Sequence, residues 1–107
     1  MTSVEDYVRM AEEAKKDGSH VGVITNYRNA LDDAGYSSDL AYILSAAVAH
    51  AANLKKARDR EAIAQWGESA LQKMKPDATL ADAINREIGQ LRIAAVKPAG
   101  EQNTASQ

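Results

Sequence analysis

The chain has 107 residues, 45% hydrophobic and 26% charged, which fits one domain with a core of its own. Its 13 basic and 15 acidic residues give a formal net charge of −2, without the basic excess of a general nucleic-acid binder. Cysteine is absent, which excludes a disulfide framework and thiolate chemistry and suits a reducing, cytoplasmic setting.

The apolar content is unusual in kind. There is no Phe, one Trp and four Tyr, and alanine is abundant. Alanine has the best helix propensity and lets helices approach closely. With only two prolines and six glycines, the pattern predicts an all-α chain.

The N-terminal segment is acidic and polar and lacks the basic-then-apolar layout of a signal peptide. Thr2 and Ser3 followed by Glu5 and Asp6 form a capping-box-like start. Val4, Tyr7, Val8, Ala11 and Ala14 recur at three- and four-residue steps, predicting a first helix over residues 3–16. Asp17-Gly18-Ser19 reads as a turn with Ser19 as the next N-cap. The second helix is predicted over 20–34, with Val23, Ile24, Tyr27, Ala30 and Leu31 on its apolar face and Gly35 as its stop.

A third helix is predicted over 39–56. Residues 40–52 are nearly all apolar or small, with Ser45 and His50 the exceptions. Thirteen residues are too few to cross a bilayer, so no membrane insertion is expected. The charged run from Lys55 to Glu61 reads either as a loop or as helix continuing through. A fourth helix reaches Met74, with Ala62, Ile63, Trp66, Ala70, Leu71 and Met74 on one face, and Lys75-Pro76 ends it. Asp77 caps a fifth helix to about Val96, with Leu80, Ala81, Ile84, Ile88, Leu91 and Ala95 inward. Residues 1–96 form the expected domain, and 97–107, which have no large apolar residue, an expected disordered tail.

The first two helices carry a pattern. Tyr7, Met10, Ala11 and Ala14, then Val23, Tyr27 and Ala30, then Gly35, fall in the slots of the 34-residue unit W-x2-L-G-x2-Y…A-x3-F…P. Tyr42, Ser45, Ala46 and Ala49, then Ala62 and Trp66, then Pro76, make a looser second copy. Tyr42 lies 35 residues after Tyr7, but Trp66 lies 39 after Tyr27, so extra residues enter around 55–60. Over about residues 3–76 the chain resembles a tetratricopeptide repeat protein, with almost no slot holding the consensus residue; a plain antiparallel bundle is the other reading.

The resemblance implies a right-handed array of antiparallel helical hairpins with the fifth helix as a cap. It also implies an adaptor or scaffold that binds a protein or peptide in a groove lined by the first helix of each pair. Glu5, Val8, Arg9, Glu12 and Lys16 would come from the first helix, and Leu40, Ile43, Leu44, Ala47 and Ala51 from the third. Val8, Arg9, Glu12, Leu40, Ile43, Leu44 and Ala47 are the expected partner-binding residues. The set of Lys, Asn and Arg that clamps a C-terminal carboxylate in one subgroup is not matched, so the implied surface is apolar.

No convergent catalytic set is visible, and an enzyme is not expected. His20 and His50 are the only histidines and neither has a second histidine at metal-ligand spacing, so no metal or cofactor is expected. His50 reads as a packed or half-exposed residue, or as a pH-sensitive interface residue. The pairs Glu12/Glu13 and Asp32/Asp33 point about 100° apart on a helix and read as solvated faces. Trp66 reads as core; on an exposed edge it would be a binding anchor. The third helix leaves two readings open: a core helix enclosed by the others, or an apolar face covered by a partner or by a second copy in a homodimer. A helical bundle holding a small ligand, or a small regulatory protein, is the alternative function.

Overall fold

The computed structural model describes residues 3–96; the C-terminal segment read above as a tail lies outside the described residues. Five α-helices follow in order: α1 (Val4–Lys16), α2 (His20–Asp33), α3 (Ala41–His50), α4 (Ala57–Met74) and α5 (Ala78–Val96). Short 3-10 turns, Ser38–Leu40 and Ala51–Asn53, flank α3. No strand occurs among the described residues, and no helix is long and apolar enough to cross a membrane.

Most caps follow the sequence signals, but not before the third helix, where the sequence offers Ser37, Ser38 or Asp39 as N-cap: Ser37 at the head of the 3-10 turn and Leu40 at the head of α3 make no side-chain cap hydrogen bond. At α1, Ser3 Oγ accepts from the Asp6 amide and Asp6 Oδ2 accepts from the Ser3 amide, both at 3.2 Å. At α2, Ser19 Oγ accepts from the Gly22 amide at 3.1 Å, after Gly18 turns the chain at φ +76°. The end of α2 is a Schellman closure. The Gly35 amide donates to Asp32 O and the Tyr36 amide to Leu31 O, with both residues in the left-handed region. Lys75, also left-handed, stops α4 before Pro76, and Asp77 Oδ1 receives the Leu80 amide at 3.1 Å to open α5.

The third helix is shorter than its sequence predicts. The α-helix ends at His50, and the chain is extended at Leu54 and again at Lys56 before α4 begins. The polar groups at this break find other partners. Asn53 Nδ2 donates to His50 O, the Leu54 amide to Ala51 O, and the Arg60 guanidinium to Leu54 O. Leu54 packs half-buried against the core. The helix therefore breaks at residues 54–56, and the rest of the charged run, from Ala57 to Glu61, opens α4.

Two hairpins, α1/α2 and α4/α5, are the most extensive helix pairs, and α3 packs against α2, α4 and α5. The molecule measures 50 × 33 × 18 Å, about two helix diameters thick in its shortest direction. Ala41, Ile43, Leu44, Ala47 and Val48 of α3 are all buried, which leaves Tyr42, Ala46 and Ala49 as its exposed stripe. That position explains a helix apolar on nearly every side: it has neighbours on nearly every side.

Burial separates the two copies of the sequence pattern. In the first hairpin Ala11, Val23, Tyr27 and Ala30 are buried, and Ala11 is the small residue that lets α2 approach α1. In the second copy Tyr42, Ala46, Ala49 and Ala62 are exposed.

Candidate functional site

A groove of about 690 Å³ lies between α1 and the start of α3. Val4 and Val8 come from one side of α1, one helical turn apart, and Leu40 and Tyr42 from the opposite wall. Glu5, Arg9 and Asp33 stand at its rim. Tyr42 is 59% exposed, which for a ring of its size leaves a large amphipathic surface facing water.

The rim charges are not equivalent. Arg9 is engaged by Asp6, its Nη2 2.7 Å from Oδ1. Asp6 is held below the usual carboxylate range by the Ser3 amide hydrogen bond first and by Arg9 next. That pair is internally neutral, so Glu5 and Asp33 set the sign of the rim.

The structure divides the sequence-derived site residues. Val8, Arg9 and Leu40 meet in the groove, together with Glu5. Glu12 is exposed but directed elsewhere, accepting from the Tyr27 hydroxyl at 3.3 Å and lying 3.5 Å from Lys15. Its carboxylate and the burial of the ring, burial foremost, push the Tyr27 hydroxyl pKa up. Ile43, Leu44 and Ala47 are corrected from groove lining to core, at 1%, 0% and 0% exposure. The reason is the position of α3 between the hairpins, which turns these three residues toward other helices of the same chain.

Sequence reasoning missed Val4, Asp33 and Tyr42. Tyr42 stands in a packing slot of the repeat pattern, which marks it for burial and not for the groove.

Two further polar clusters tie helices together. Trp66 Nε1 on α4 donates to the Tyr36 hydroxyl at 3.0 Å, and that hydroxyl donates to Asp32 at 2.7 Å. The Arg28 guanidinium stacks over the Trp66 ring at 5.1 Å, and Lys73 Nζ lies 4.8 Å from the Tyr36 ring centroid. Burial, then the Asp32 carboxylate, raises the Tyr36 pKa, so the hydroxyl stays a donor at neutral pH. Trp66 is half-buried with its N–H satisfied, neither sealed core nor free anchor. Tyr36→Phe removes the acceptor for Trp66 and the donor to Asp32. The expected loss is about 1–2 kcal/mol in urea denaturation, with a change in tryptophan emission. An unchanged midpoint would show that water replaces the hydroxyl at no cost.

The second cluster joins the two histidines. His20 is the first residue of α2 and His50 the last of α3, and the antiparallel packing of these helices brings them together. His20 Nδ1 lies 3.0 Å from His50 Nε2, with ring centroids 5.0 Å apart and tilted 51°. Burial first, then the charges of His20 and Lys15, lowers the His50 pKa and favours the neutral ring at pH 7. Spacing along the chain could not reveal this pair, because the two residues are 30 positions apart.

A comparison with protein-family models finds no match, and comparisons with curated proteins and with solved structures find none either.

Proposed function

We propose that the protein is an interaction module, an adaptor or scaffold of tetratricopeptide-like character that docks a peptide segment in the α1/α3 groove. The observation that carries this reading is the groove itself, where Val4, Val8, Leu40 and a largely exposed Tyr42 line one concavity. Half-wet aromatic rings beside aliphatic pockets are the usual anchors of protein interfaces. Support for the repeat character comes from the first hairpin, where the slot residues Ala11, Val23, Tyr27 and Ala30 are buried, although Met10 in the Leu slot is 43% exposed.

With Arg9 engaged by Asp6, the rim presents Glu5 and Asp33. The complementary ligand is a short segment with one bulky apolar side chain and a flanking Lys or Arg, since rim charges of opposite sign speed encounter and fix orientation. The role is binding, without chemistry on the ligand.

A peptide library displayed on phage and selected against the untagged protein tests this. Binders are expected to combine an apolar anchor with basic residues and to shift amide resonances of Val8, Leu40 and Tyr42. Tyr42→Ala is expected to weaken them by about tenfold or more, the scale of an anchor residue, with the melting temperature little changed. Failure to select binders, or binders indifferent to Tyr42→Ala, would rule the groove out as a docking site.

A further inference from the structure

We infer that His20 and His50 form a two-histidine chelate for a divalent transition-metal ion of the copper or nickel type, bridging the start of α2 and the end of α3. The two facing nitrogens are 3.0 Å apart and belong to different helices. Held in a hydrogen bond, the pair needs one ring to present N–H and the other its lone pair. To bind an ion through both facing nitrogens, the donor ring shifts its proton to its other ring nitrogen by exchange with water, which frees the second lone pair, and both rings rotate to aim the two lone pairs at a common point.

With metal–nitrogen distances of about 2.0–2.1 Å, two nitrogens kept near 3.0 Å apart subtend an angle of about 91–97° at the ion. That is a cis pair in a tetragonal or octahedral site. A tetrahedral zinc site wants about 109° and hence nitrogens about 3.3 Å apart. Imidazole donors in tetragonal geometry suit Cu(II) and Ni(II), and Cu(II) stands highest in the affinity order.

The surroundings set the character of the site. No third histidine, cysteine or carboxylate joins the pair among the described residues, so the remaining positions fall to water or to an incoming donor. A cavity of about 320 Å³ adjoins His20, though not His50; Ser19, Asn53, Lys55, Lys56 and Asp59 also line it, and it leaves room for such ligands on the His20 side. The C-terminal end of α3 favours a cation and the N-terminal end of α2 opposes it by a similar amount, so the two dipoles offset. Lys15, Lys55 and Lys56 repel a cation through solvent. The imidazoles alone then supply the affinity, which makes this an open, exchangeable site and not a structural one.

The chain has two histidines, so imidazole-specific signals have one source. Untagged protein is titrated with Cu2+ and followed by electron paramagnetic resonance, with His20→Ala, His50→Ala and the double variant alongside. The wild type is expected to bind one more equivalent than the double variant, with hyperfine structure from two nitrogens. Either single variant is expected to bind that equivalent at least about tenfold more weakly. His20 is exposed and His50 half-buried at the end of its helix, so the variants are expected to keep the wild-type circular dichroism. A measurement on the wild type alone backs this up: substoichiometric Cu2+ is expected to broaden the ring resonances of both histidines before other signals. Equal stoichiometry in wild type and double variant, or broadening of one ring only, overturns the chelate.

Discussion

Leu44→Glu is expected to unfold the protein. Leu44 is 0% exposed on α3, the helix that packs against α2, α4 and α5. Removing the leucine forfeits about 2–3 kcal/mol of apolar burial. The added carboxyl must then lose its water in a core whose buried side chains are almost entirely hydrocarbon. An unpaired buried carboxyl costs several kcal/mol even when it protonates to avoid the charge. A domain of this size has about 5–15 kcal/mol in total, so the sum removes most or all of it. Circular dichroism is expected to show lost helicity and no cooperative melt at neutral pH. Leu44→Ala is expected to fold with about 2–5 kcal/mol less stability, and Leu44→Met to cost under about 1.5 kcal/mol. A cooperative melt for Leu44→Glu near the wild-type temperature would place the residue at a surface, contrary to its burial.

The same residue shows what the sequence could and could not say. Apolar content marks Leu44 as a residue to be covered, but not by what. Helical period sorts residues around an axis only when one face is polar, and α3 has no polar face. Whether Ile43, Leu44 and Ala47 meet the rest of the chain or a partner is decided by α2, α4 and α5 packing onto α3, as in the hydrogen bond from Ser45 Oγ to Glu87 of α5 at 3.1 Å. That pairing spans 42 residues and leaves no local mark. Local signals fared better. The Ser3 box, the Gly18 turn, the Ser19 cap, the Gly35 stop and the Asp77 cap are each read within four residues, and each is present. The end of α3 fell between these cases. Alanine runs on through Ala52, so propensity alone predicts continuation. The break depends on Arg60 reaching back to Leu54 O and on Leu54 reaching the core.

The groove was legible by half for the same reason. Val8 and Arg9 sit on a short amphipathic helix whose inner face is plain. Tyr42 required knowing that α1 stands off from α3, a tertiary fact. The histidine pair required the register of α2 against α3, which places residues 20 and 50 at the same level.

Gly67→Leu is the second large effect expected. Gly67 is buried on α4 where that helix meets both α3 and α5. A Cβ built there stands 3.2 Å from Val48 Cγ2 on α3 and 3.2 Å from Ile88 Cδ1 on α5, with Ile88 Cγ1 at 3.3 Å. Those atoms are mostly methyl ends, which yield by a few tenths of an ångström. Alanine also gains about 0.8–1 kcal/mol in helix propensity over glycine. Gly67→Ala is therefore expected to fall within about 1 kcal/mol of wild type. Leucine adds three more carbons to a space already closed on two sides, and the helices must part. Overpacking of this kind costs about 1–3 kcal/mol, more where two partners are displaced together, and outweighs the propensity gain. Gly89 on α5 is the internal control, since a Cβ there meets nothing within 4 Å. Gly89→Ala is expected to raise stability by up to about 1 kcal/mol from propensity alone. Urea denaturation of the three variants separates backbone from packing. Adding Val48→Ala to Gly67→Leu makes room beside the new side chain. The double variant is then expected to be more stable than the sum of the two single changes, because residues in contact couple by about 0.5–3 kcal/mol. Strict additivity would mean that α3 does not sit against Gly67, and the three-helix junction around α3 would have to be redrawn.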